Sequence, residues 1–117
     1  MTFLFSKREW QFGTIAIHIY FCIMERLTTI LSITGSDSTG GAGIQGDIRT
    51  IGALGAYAVT ALTSVAVQNS QGIHSVFNLP TNIIGDQIRS LLNDIRPNAI
   101  KIGMVGTPDI IDAITKE

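Results

Sequence analysis

The residues best placed to do chemistry cluster around glycine. Gly41-Ala42-Gly43-Ile44-Gln45-Gly46 spells G-x-G-x-x-G, and Asp47 follows directly. Glycines lack Cβ atoms, so backbone N–H groups can approach a ligand, and a helix start adds partial positive charge. A dinucleotide fingerprint fits only loosely. It wants its first glycine directly after a strand, whereas residues 35–40 intervene here. It also wants an acid about 20 positions further on, and none lies between Asp47 and Asp86. A dinucleotide-binding oxidoreductase is therefore the weaker alternative. A Walker A loop is excluded because Gly-Lys-Ser/Thr does not occur. Gly35-Ser36-Asp37-Ser38-Thr39-Gly40 is one residue too long for the G-x-S-x-G nucleophile elbow.

Four further features draw attention. Asp47 lies three residues after Ile44, at the border of an apolar stripe and close to a helix start, where an acid can meet a ligand or simply favour the helix dipole. Gln68-Asn69 closes an apolar run, and an amide there offers one donor and one acceptor to a heterocycle edge, or forms an ordinary turn. Met104, in Ile-Gly-Met-Val-Gly, can cover an aromatic ring with a soft side chain or fill core. His18, His74 and the single Cys22 stand apart, so no metal site is expected from the protein's own side chains.

The elements that must position these residues alternate. Residues 28–34 are β-branched and aliphatic and stop at Gly35, which predicts a buried strand. Ile44, Ile48, Ile51 and Gly55 then keep the spacing of a helix capped by glycine. Residues 57–69 form a second extended run, and residues 70–72 a turn into a short strand over 73–79. A helix follows with Thr81 as its N-cap, carrying Ile84, Ile88, Leu91, Leu92 and Ile95 on one stripe and ended by Pro97. Residues 99–102 predict a strand, 103–106 a loop, and Pro108-Asp109 the first turn of a last helix. Such alternation implies an α/β domain with a mostly parallel sheet. Ligands bind such sheets at the carboxyl ends of the strands, which nominates loops 35–43, 68–72 and 103–106.

Composition narrows the class. A chain of 117 residues suits one domain, and 45% hydrophobic content is too apolar for a disordered one. Lys and Arg total 8 against 9 Asp and Glu, which leaves no electrostatic footprint for nucleic acid. One cysteine excludes an internal disulfide framework. Charged residues make up 15%, against about a quarter in an average domain. So few charges suggest a broad binding face or membership of a larger body. Residues 1–23 read differently: Lys7 and Arg8 precede the apolar run 12–24, which is short of the roughly 20 residues a membrane span needs. The expectation is an upstream extension over 1–23, with Met24 as the working start and 24–117 as the domain; a membrane-associating segment is the alternative.

The segment ITGSDSTGGAGIQGDIRTIGALGAYAVTALTSVAVQN, then GIHSV, then IRPNAIKIGMVGT, resembles the start of the bacterial hydroxymethylpyrimidine/phosphomethylpyrimidine kinases of thiamine biosynthesis, members of the ribokinase-like superfamily. The likeness runs from about Leu27 to the C-terminus. It implies a ribokinase-like three-layer α/β sandwich, present as its N-terminal part, and ATP-dependent phosphorylation of hydroxymethylpyrimidine and its monophosphate. By resemblance Gly35 lines the pyrimidine pocket, Asp47 contacts the substrate's polar edge, Gln68 reads the aminopyrimidine and Met104 packs over the ring. ATP and Mg²⁺ are implied as cofactors, with their sites and the catalytic base in a second half that this chain does not match. The resemblance therefore implies a truncated, acceptor-binding half without catalytic residues, inactive alone; a non-catalytic pyrimidine-binding module or a half-enzyme needing a separate C-terminal part is the alternative. It further implies a cytoplasmic chain with a small-molecule substrate, no nucleic-acid or membrane partner, and a possible homo-oligomer.

Overall fold

The computed structural model describes residues 27–117. The extension expected over 1–23, with His18 and Cys22, lies outside them. The elements run in the order β1 (Thr29–Thr34), α1 (Gly43–Ala53), β2 (Tyr57–Leu62), β3 (Ser64–Asn69), β4 (Gly72–Asn78), α2 (Thr81–Asp94), β5 (Ala99–Ile102) and α3 (Pro108–Thr115).

A parallel sheet in the order β2-β1-β5 carries the domain. Its middle strand, β1, is buried at every residue except the half-buried Ile30, as parallel strands covered on both faces are. Leu31 stands level with Val59 and Ile100, and Ile33 with Ala61 and Ile102. Leu31, Ile33, Val59 and Ala61 therefore share one face, where they pack with Ile84 and Ile88 of α2 and Ile110 of α3. Ser32, the next residue over, points to the opposite face and meets α1 through Asp47. The result is three layers: α1, the sheet, then α2 with α3.

α1 ends as its glycine predicts. Gly55 takes a φ of +79°, its N–H donates to the Gly52 carbonyl at 3.0 Å, and the Ala56 N–H donates to the Ile51 carbonyl at 3.1 Å. These paired bonds satisfy carbonyls that the helix end leaves over. Of the stripe Ile44, Ile48 and Ile51, Ile51 is buried while Ile48 is exposed.

Two expectations need correction. The run 57–69 is not one strand but two, broken at the buried Thr63. The Gln87 side chain accepts from the Leu62 N–H at 3.0 Å and donates to the Leu62 carbonyl at 3.1 Å, gripping the end of β2. Beyond Thr63 the chain leaves the parallel sheet, and β3 pairs antiparallel with β4. Nor does Thr81 cap α2. It is the first helical residue, Pro80 occupies the cap position, and no side chain caps the end. The Pro80 carbonyl accepts from both Ile83 and Ile84 N–H groups, and its extended backbone serves as the helix entry. Among the described residues no helix is long and apolar enough to cross a membrane.

Candidate functional site

The loop after β1 is laid along β3. The Ser36 N–H donates to the Ser64 carbonyl at 2.9 Å, the Ala66 N–H donates to Ser36 Oγ at 3.1 Å, and Ser38 Oγ donates to the Ala66 carbonyl at 2.8 Å. At the far end the Ile44 N–H returns to the Gly35 carbonyl at 3.0 Å, closing the loop on the start of α1. Gly43 makes that closure with a φ of +55°, and a Cβ there would lie 2.6 Å from the Gly35 oxygen. Only glycine fits both constraints. Gly35 is needed for space rather than conformation, since a Cβ would fall 2.4 Å from Ser64 Oγ and 2.8 Å from Met104 Cε.

Asp37 organises the loop from inside. It is buried, and its carboxylate accepts from the Thr39 N–H at 2.8 Å, Thr39 Oγ1 at 2.7 Å, the Ala42 N–H at 2.7 Å and Gln68 Nε2. Its own N–H donates to Gln45 Oε1 at 2.9 Å. The Thr39 hydroxyl leads the influences on its acidity; burial opposes it, and the N–H donors add to it, leaving a pKa of about 2. An ionised carboxylate can only accept, so Gln68 must turn its nitrogen toward Asp37. Its carbonyl oxygen and second N–H are left for another partner.

Gly35, Asp37, Gln68, Lys101 and Met104 stand together on the wall of a cleft of about 400 Å³. Loops 35–43 and 103–106 meet here at the carboxyl ends of β1 and β5. The nominated stretch 68–72 is not a loop of the parallel sheet: Gln68 and Asn69 end β3, and the chain turns there into β4. Met104 is pinned by its backbone: its N–H donates to Thr34 Oγ1 at 3.0 Å and its carbonyl accepts from Thr63 Oγ1 at 2.9 Å. The residue stays 43% exposed, so its side chain is not spent on core.

Asp47 is not on this wall. Its Oδ2 accepts from Ser32 Oγ at 2.6 Å and from Lys101 Nζ at 2.7 Å, one layer behind the cleft. Burial pushes its carboxyl up, but the hydrogen bonds from Lys101 and Ser32, with the charge of Lys101, outweigh it and hold the group below the usual carboxylate value. Sequence reasoning missed Lys101 and Asp37. A single charge in the otherwise apolar strand Ala99-Ile100-Lys101-Ile102 was the available signal for the first. No group of three His, Cys, Asp or Glu able to hold a metal ion occurs among the described residues.

A family model described as phosphomethylpyrimidine kinase matches residues 37–117. The chain belongs to the phosphomethylpyrimidine kinase family. It is 39% identical over 93 residues to the hydroxymethylpyrimidine/phosphomethylpyrimidine kinase of Escherichia coli, covering 80% of this chain and 35% of that protein. It is 44% identical over 87 residues to the same enzyme of Mycobacterium leprae, covering 74% and 31%. The crystal structure of phosphomethylpyrimidine kinase from Clostridium difficile superposes with a TM-score of 0.73 at 45% identity, over 75% of this chain and 38% of that one. Pyridoxal kinase from Staphylococcus aureus in complex with AMP-PCP superposes with a TM-score of 0.70 at 37% identity, over 77% and 33%. The chain thus spans about a third of the length of the curated relatives it matches. These neighbours show the ribokinase-like α/β class, here as part of a domain. The dinucleotide-oxidoreductase alternative finds no support among them.

Proposed function

We propose that this chain carries the acceptor-binding part of a hydroxymethylpyrimidine/phosphomethylpyrimidine kinase acting in the cytoplasm in thiamine biosynthesis, and that the cleft takes the pyrimidine. One observation supports this most: Gly35 and Met104 from the loops after β1 and β5, and Gln68 from β3, line one cleft. Gly35 leaves the floor open, Gln68 offers an oriented amide to the ring's nitrogen edge, and Met104 lies free to cover its face. Asp47 serves the substrate's polar edge from behind Lys101. Relatives bearing this name support the substrate class, and a thiamine biosynthesis multifunctional protein of Corynebacterium glutamicum, 39% identical over 85 residues, supports the pathway.

Transfer to the acceptor would draw on ATP and Mg²⁺. Phosphoryl transfer depends on fixed charge around the phosphates and metal. Among the described residues no group of three His, Cys, Asp or Glu that could hold a metal ion occurs; Mg²⁺ arriving with ATP would be held chiefly by the phosphates and one or two carboxylates. Residues 1–117 by themselves are expected to bind the pyrimidine without turnover; a homo-oligomer is compatible with this reading. Calorimetry with hydroxymethylpyrimidine tests it, alongside an assay for ATP-dependent phosphorylation. Binding without turnover supports the reading. A folded chain that fails to bind overturns it, and turnover overturns the division into halves.

A further inference from the structure

Lys101 is the cationic group on the cleft wall, and no family likeness singled it out. It lies in the middle of β5, with Ile100 and Ile102 on either side. Its ammonium folds back over the strand end: a Cβ on Gly103 would come within 2.9 Å of Nζ, so glycine at 103 leaves the space the ammonium occupies. One of its three donors is committed to Asp47 Oδ2 at 2.7 Å. Asp47 is itself held by Ser32 Oγ from the central strand. Ser32 and Asp47 therefore fix a cation whose two remaining N–H groups border the cleft.

The surrounding charges say what such a cation can receive. Among the described residues the charged side chains on the cleft wall are Lys101 and Asp37, and Asp47 holds Lys101 from beside it. One positive group against two negative ones makes a poor trap for a phosphate dianion. A fixed ammonium whose charge is answered by a carboxylate still donates strong hydrogen bonds to a neutral oxygen or ring nitrogen.

We propose that Lys101 is a substrate-binding residue that donates a hydrogen bond to a neutral acceptor of a heteroaromatic alcohol, and that Asp47 is a positioning residue that acts through it. The phosphate of a phosphorylated ligand then faces away from Lys101. This rests on the reading of the cleft as a pyrimidine site and adds which part of the ligand the lysine meets.

The test is calorimetry of chain 1–117 and its Lys101→Met and Asp47→Asn variants, with hydroxymethylpyrimidine and its monophosphate as ligands. Lys101→Met is expected to weaken both ligands by a similar factor, about tenfold. Asp47→Asn removes the counter-charge and is expected to shift preference toward the monophosphate, with affinity that falls as salt rises; loss of fold alone would not move that ratio. A loss confined to the monophosphate overturns the proposal in favour of an anion site. Unchanged binding by Lys101→Met overturns it while leaving the pyrimidine reading intact, and failure of the unsubstituted chain to bind overturns both. As a check independent of variant folding, the Lys101 Nζ resonance of the unsubstituted chain is expected to shift when hydroxymethylpyrimidine is added; an unmoved resonance in a chain that binds removes the lysine from the site.

Discussion

Residues 35–43 and strand β5 border the same cleft but are held in different ways. The loop ties Ser36 and Ser38 to β3, Asp37 to Thr39, Ala42 and Gln68, and Gly35 to the start of α1. β5 pairs only with β1 among the described strands, and all four of its residues are exposed. Ile100 and Ile102 stand level with the fully buried Leu31 and Ile33 yet keep 56% and 53% of their surface in water. The loop is therefore anchored on both sides, to β3 and to the start of α1. Among the described residues the far edge of the sheet has no strand partner and shows an apolar face, features that well-covered sheets avoid. Residue type does not decide burial here. The neighbouring elements do.

The largest effect should separate these regions by stability. Leu31→Ala is expected to cost about 2–5 kcal/mol, whereas Ile100→Ala, already half in water, should cost less than about 1 kcal/mol. Urea unfolding followed by circular dichroism checks this, and equal losses would mean that β5 is covered in solution. Next comes the loop closure: Gly43→Ala forces a side chain into a positive φ and against the Gly35 oxygen, at about 1–3 kcal/mol. The same unfolding curves report it, and cleft binding should fall with it.

Gln68→Leu should weaken hydroxymethylpyrimidine by about tenfold and also lower stability, because the amide both meets the ligand and donates to the buried Asp37 carboxylate. Calorimetry measures it. Asp37 should show as acid sensitivity. Its carboxyl is lowered from 3.8 to about 2, so the unfolded chain takes up the proton first. The stabilisation is complete above pH 3.8 and is lost as the pH falls through about 2. An acid-unfolding series should lose this component in Asp37→Asn. The smallest effect has the opposite sign: Gly52 sits inside α1, and a methyl group added there would meet nothing within 4 Å. Gly52→Ala should therefore stabilise by about 0.5–1 kcal/mol, read from the same urea curves.

Much of the fold could be read along the chain because it rests on local rules. The strand at 29–34, the helix closed by Gly55, the entry of α3 at Pro108 and the loops 35–43 and 103–106 at the sheet's carboxyl edge all follow from periodicity and turn chemistry. The break at Thr63 did not, because residues 57–69 are uniformly suited to extended backbone and only the Gln87 clamp, 25 residues away, shows where the sheet ends. The site divides the same way. The positions of Gly35 and Met104 in loops were legible, and that of Gln68 at the end of an extended run, whereas the partners that orient them were not.

By itself the amino-acid sequence determined the alternation of strands and helices, the glycine loop and the family, since each is written in residues close together along the chain. Tertiary structure alone decided that Asp37 would turn the Gln68 amide, 31 residues away, and that Asp47 would grip Lys101, 54 residues away. Those pairings depend on β5 settling beside β1 and on the loop folding over β3. Strand order is set by the packing of α1, α2 and α3 on the two faces of the sheet, a long-range balance that no local pattern records.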